Sequence, residues 1–165
     1  MKTLFTNHFW ILYHRDIKTY GHYAFIVSEA TSHGMQVFDL NQLLTTSVAT
    51  TFSADARYSS GVGKLHNIFI NEDSATAYLL GGSNNCSGGL HMVDISNPLI
   101  PIQSGCFPDD GYTHDVQCVI YNGPDTQYVG KEICFAFNED IQSPLWVQCL
   151  KHMCTLTCWI ILRLI

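Results

Sequence analysis

The chain has 165 residues, of which 47% are hydrophobic and only 13% charged, and its formal net charge is −6. That length bounds a single domain with a sizeable core, and that balance describes a globular, strand-rich chain and speaks against a disordered one. The acidic surplus argues against nucleic acid or an anionic membrane surface as partner.

The N-terminus, MKTLFTNHFWILYH, has a lysine and a short apolar run but no small-residue cleavage site, so it reads poorly as a signal peptide. From residue 15 the chain falls into short strands. Asp16 to Tyr20 alternates, Gly21-His22 turns, and Tyr23 to Glu29 (YAFIVSE) has the aromatic and β-branched content of a buried strand. Gly34 to Leu40 (GMQVFDL) is expected as a third strand and Ser47 to Phe52 (SVATTF) as a fourth.

A second round follows the same order. His66 to Asn71, Ala75 to Gly81, Gly89 to Ile95 and Ile100 to Phe107 are its four strands, with Ser96-Asn97-Pro98 breaking the third from the fourth. Shifted by 55 residues, Tyr23 falls on Tyr78, Gly34 on Gly89, Asp39 on Asp94 and Phe52 on Phe107. No window of helical periodicity competes. A third round starts with Asp115 to Asn122 and Glu132 to Asn138 and then fails. The offset requires glycine and aspartate where Pro144 and Cys149 stand, so a third strand is not expected there.

Tandem four-stranded units of this period are the signature of β-propeller blades. The expected fold is therefore all-β: a partial propeller of about two and a half four-stranded antiparallel blades. Residues 1–14 form an N-terminal segment, 15–140 the blades, and 141–165 an unrelated apolar tail. That tail holds no acidic residue and no glycine, but three of the seven cysteines. It reads as the product of mis-splicing or a frame shift, and it is too short in apolar residues to be read as a spanning helix. Alone, the blades would make a monomeric wedge or a wedge completed by a partner.

The segments RDIKTYGHYAFIVSE, HGMQVFDL, FSADARY, CSGGLHMVDI, GCFPDDGYTHDVQCVIYNGPDTQY and GKEICFAFNED together resemble the LVIVD-repeat, choice-of-anchor B proteins, over about Arg15 to Asp140. The resemblance implies an extracellular or surface-anchored β-propeller of greater length and carries no catalytic role. Four cysteines lie before residue 140, an even set that suits two disulfides and an oxidising compartment. A hairpin turning about Thr126 sets Cys118 opposite Cys134, and Cys86 can reach Cys106 within one blade. The alternative is four reduced, buried thiols.

His66 and His114 each open the first strand of a blade, followed by Asn67 and Asp115. First strands line a propeller's channel, so His66, His114 and Asp115 are candidate ligands for a divalent metal. The competing reading is that they satisfy backbone groups where each strand begins. His14 is not clearly a third member. Asn85-Cys86-Ser87 matches the glycosylation sequon at Asn85, for use in a secreted protein. Asp39 and Asp94 are expected to cap turns. No nucleophile motif and no phosphate-binding loop occurs, and no cofactor is expected beyond that metal. The leading expectation is a non-catalytic binding or scaffold module whose loops contact a protein or glycan. The rival is a metal-dependent enzyme with its His/Asp site at the channel mouth.

Overall fold

A computed structural model describes residues 13–109 and 111–138, together with the backbone of residues 147–149 and 154–156. Over these residues the protein is all-β and consists of antiparallel sheets whose strands follow one another in chain order. The first sheet is β1 (Arg15–Tyr20), β2 (Tyr23–Ser28), β3 (Met35–Asp39) and β4 (Ala56–Tyr58). The second is β5 (Asn67–Asn71), β6 (Thr76–Leu80), β7 (Leu90–Asp94) and β8 (Ile102–Phe107). The third rests on the hairpin of β9 (Thr113–Ile120) and β10 (Glu132–Asn138). Where no third strand was expected, three-residue β11 (Val147–Cys149) pairs with β10, and β12 (Cys154–Leu156) pairs with β11. The rest of the tail, and residues 1–12 of the N-terminal segment, lie outside the described residues.

The second and third strands of each full sheet form where the pattern placed them. Gly34 and Gly89 show why the repeat keeps a glycine before its third strand. Gly34 has φ +63°, and a Cβ on it would stand 2.5 Å from the Tyr58 carbonyl oxygen. A Cβ on Gly89 would run into the carbonyl oxygen of Phe107. In both sheets the third strand begins so close to the end of the fourth that no side chain fits. Asp39 and Asp94 then close the third strand alike: one carboxylate oxygen accepts from the backbone N–H two residues on, Asn41 and Ser96.

The same geometry corrects one expectation. Met35 pairs with Tyr58 and Leu90 with Phe107, so the residue equivalent to Phe107 is Tyr58 and not Phe52. The fourth strand of the first sheet is Ala56–Tyr58, and Ser47 to Phe52 is not a strand. The connection after Asp39 is longer than its counterpart. It starts as a 3₁₀ turn at Leu40–Leu43 and is tied back by Asp55, whose carboxylate accepts from the Asp39 N–H and the Gln42 side chain. Phe52 serves a different purpose. With Leu40 and Leu43 it covers Ala24, Ile26 and Phe38, its ring 5.2 Å from that of Phe38.

Alternation sends the other side chains of β2 and β3 the opposite way. Phe25, Val27, Met35 and Val37 pack with Leu65, just before β5, and with Ile68, Ile70, Ala77, Leu79 and Val93 of the second sheet. The far face of the second sheet supplies Tyr78, Leu80, Leu90 and Met92 to a separate cluster with Val116, Cys118 and Cys134 of the third. The middle sheet is thus covered on both faces, and all five residues of β6 are buried. Each fully buried apolar side chain of this size stabilises by about 2 kcal/mol. The first strands run side by side, β1 against β5 and β5 against β9. That row sets the position of the site.

Two disulfides staple the structure. Cys118 and Cys134 are direct partners in the β9–β10 register and are bonded. Cys86, in the loop between β6 and β7, is bonded to Cys106 on β8. Closing loops of 16 and 20 residues is worth about 3 kcal/mol each in the chain-entropy treatment. No helix among the described residues is long and apolar enough to cross a membrane.

One carboxylate lies inside the junction between the second and third sheets. Glu132, at the start of β10, is 2% exposed. It accepts from the Asn71 amide, from the Ser74 hydroxyl at 2.9 Å and from the Tyr78 hydroxyl, whose own ionisation is pushed up by burial and by this carboxylate. Removing the acceptor would leave buried donors without a partner, the costliest way to lose a hydrogen bond. Glu132→Ala is therefore expected to lower unfolding free energy by about 3 kcal/mol, read as a shifted urea midpoint. A midpoint within error of the parent chain would show that the junction does not depend on this network.

Candidate functional site

The site lies at the leading ends of the three first strands. β5 and β9 carry His66 and His114 there, and β1 brings His14. The ring of His66 is the centre. It stacks on His14, with centroids 4.4 Å apart and planes at 15°, and meets His114 at 4.3 Å with the planes at 54°. The Nε2 atoms of His66 and His114 stand 2.8 Å apart. His66 Nδ1 is 2.7 Å from Glu29 Oε1. Tyr112 flanks the group, its ring 6.3 Å from that of His66.

The backbone makes this crowding possible. Gly81, just past β6, has φ +65°, and a Cβ on it would stand 2.6 Å from the Tyr112 hydroxyl and 2.9 Å from His66 Cβ. A side chain there would displace both rings. His66 N–H donates to the Leu80 carbonyl and Glu29 N–H to the His14 carbonyl, fixing the two histidines to neighbouring strand ends.

Proton positions follow from donor and acceptor counts. The hydrogen bond from His66 holds the Glu29 carboxyl below its usual range against the opposing effect of burial, so it is an anion and only accepts. The neutral form of His66 then carries its proton on Nδ1, which leaves a lone pair on Nε2. His114 Nε2 faces that lone pair and donates its own proton to it.

The three candidate ligands are thus treated differently. His66 and His114 come together. Asp115 does not join them, because its Oδ1 accepts from the Val116 N–H at 2.8 Å. Asp16 and Asn67 make the same bond to Ile17 and Ile68, so within the first three residues of each first strand an Asp or Asn side chain caps its own next N–H. Among the described residues no group of three or more His, Cys, Asp or Glu side chains stands ready to hold a metal ion. His14 was the member that spacing obscured. One extra residue, Arg15, separates it from Asp16, whereas His66 and His114 directly precede Asn67 and Asp115. Glu29 is 37 residues from its partner, and nothing in the linear pattern joins them.

Asn85 belongs to a second polar group, inside the molecule. Its Oδ1 accepts from His91 Nδ1 at 2.7 Å, and the other ring nitrogen of His91 meets the Tyr58 hydroxyl at 2.9 Å. Asn85 packs so tightly on Gly61 that its amide nitrogen would be 2.5 Å from a Cβ there. The sequon asparagine is exposed as a residue, yet its amide oxygen is held by His91.

An all-β protein with, among the described residues, two disulfides and a histidine cluster across three adjoining strand ends is the class these observations define. No family model matches the chain, and no curated protein or solved structure matches it.

Two outcomes follow from the proton assignments. Burial pushes His91 down to about 4, so it is neutral in the fold, while the unfolded chain binds its proton near pH 6.5. Stability should therefore fall as pH drops from about 6.5 towards 4, by on the order of 3 kcal/mol. His91→Gln should flatten this slope in urea titrations at successive pH values, and an unchanged slope would refute the assignment. Nitrogen-detected NMR at pH 8 should find His66 as the Nδ1–H tautomer, and Glu29→Gln should mix its tautomers. A parent spectrum dominated by the Nε2–H form would overturn the arrangement.

Proposed function

We propose that this chain supplies successive blades of a β-propeller of the LVIVD-repeat, choice-of-anchor B kind. It acts as a non-catalytic binding module outside the cell or on its surface. The observation that carries this reading is the row of first strands: β1 beside β5 beside β9, each meander running outward from that row. Strands placed so would line the channel of a closed ring, and the histidine cluster would then stand at one mouth of it. The two disulfides support an oxidising compartment.

The loops around that mouth offer an extended glycan or a protein loop what such ligands require. Tyr112 and the imidazoles provide flat apolar faces for stacking, and Glu29 and Asp115 provide acceptors for hydroxyl or amide donors. The test is binding of the oxidised chain, produced through a secretory route, to arrays of glycans and of extracellular proteins. The expected outcome is at least one saturable ligand whose affinity falls about tenfold in Tyr112→Ala, the loss of one good contact. Exposed Leu44 lies in the long β3–β4 connection, and Leu44→Ser should leave binding unchanged. Absence of any saturable ligand on both arrays would count decisively against a binding role at this mouth.

A further inference from the structure

The pair His66 and His114 has a property that a strand-end hydrogen bond does not need. Their Nε2 atoms stand 2.8 Å apart across two strands, and the other ring nitrogen of His66 is anchored by a carboxylate. We propose that this pair is a binding site for a divalent transition-metal ion, zinc foremost, with Glu29 as the group that orients it. The inference stands whether or not the mouth takes a glycan or protein ligand.

Ligand chemistry favours it. A ligating imidazole commonly donates its other N–H to a carboxylate, which fixes the tautomer and raises the basicity of the ligating nitrogen. Glu29 stands in that relation to His66, at 2.7 Å. His66 Nε2 therefore already presents a lone pair. At a metal–nitrogen distance of about 2.0–2.1 Å, two imidazoles on one ion have their nitrogens about 2.9 Å apart at a right angle and about 3.4 Å apart in a tetrahedron. The pair rests at 2.8 Å. It needs to open by roughly half an ångström at most to admit a tetrahedral ion.

The proton balance closes without an outside reagent. In the empty pair, His114 Nε2–H donates to His66 Nε2. On binding, that proton moves through solvent to His114 Nδ1, which frees Nε2 as the second ligand and leaves both rings neutral. The remaining positions are taken by water and, after rotation about χ1, by His14, whose ring already stacks on His66. Nitrogen donors of this kind suit zinc, nickel and copper, whereas calcium and magnesium prefer oxygen. Asp115 is not grouped with the pair, its Oδ1 capping the Val116 N–H instead.

The test is calorimetric titration of the full, oxidised chain with zinc chloride. It is paired with cobalt(II) titration followed by visible absorbance, whose intense d–d bands signal a low-coordinate nitrogen site. One equivalent is expected to bind with a dissociation constant in the micromolar range. His114→Ala and His66→Ala should each weaken it at least tenfold, and Glu29→Gln by about tenfold, the ordinary effect of losing an orienting partner. Leu44→Ser, in the exposed β3–β4 connection, should change nothing. His114→Gln, which retains a hydrogen-bonding side chain, guards against a variant that merely misfolds: with circular dichroism like the parent's, it should still lose the cobalt bands. No saturable binding below about 1 mM, or binding that survives His114→Gln intact, would overturn the proposal.

Discussion

The middle sheet carries apolar side chains on both faces and so needs cover on each, and this molecule is arranged around satisfying that demand. Alternation along β6 sends Ala77 and Leu79 towards the first sheet and Tyr78 and Leu80 towards the third, and every residue of that strand is buried. Neither outer sheet could present its own apolar face to water without this partner. The polar groups inside the junctions are consistent with the same demand. Glu132 is buried between the second and third sheets with three donors around it, and His91 is buried between Tyr58 and Asn85. Each joins elements that packing alone would allow to slide.

Much of this architecture is legible in the linear pattern, because the pattern records steric necessity. Gly34 and Gly89 mark where a third strand starts against the end of a fourth, and Asp39 and Asp94 mark where it stops. The hairpin register that pairs Cys118 with Cys134 follows from strand length and turn position. The failure at Ser47 to Phe52 has an equally physical origin. A fixed offset assumes equal connections, and the first β3–β4 connection is longer than the second. Phe52 has the hydrophobicity of a strand residue because it is buried, but it is buried as a cover over Phe38 and not as a rung of the ladder.

The site was half visible for a related reason. His66 and His114 occupy equivalent places in successive units, and equivalence along the chain becomes adjacency across β5 and β9. Asp115 shared that adjacency and misled, because a carboxylate at a strand start has a nearer use in the N–H of the following residue. Glu29 and His14 could not be found by spacing, since their place depends on how the end of β2 and the start of β1 lie beside β5. Residues that act through a neighbouring sheet leave no local signature.

The cover formed by Leu40, Leu43 and Phe52 gives the row of sheets a direction. It conceals the central part of the first sheet's far face, over β2 and β3, while Ile17 on β1 remains half exposed. A further sheet, whether of this chain or of a second copy, cannot dock against that face as the sheets dock against one another without first displacing the cover. Head-to-tail stacking of copies, the usual danger for a molecule assembled from similar layers, therefore meets an obstacle at this end built from the β3–β4 connection. An insertion that looks like an irregularity in the repeat behaves as a latch that has to move aside before a neighbouring blade can seat.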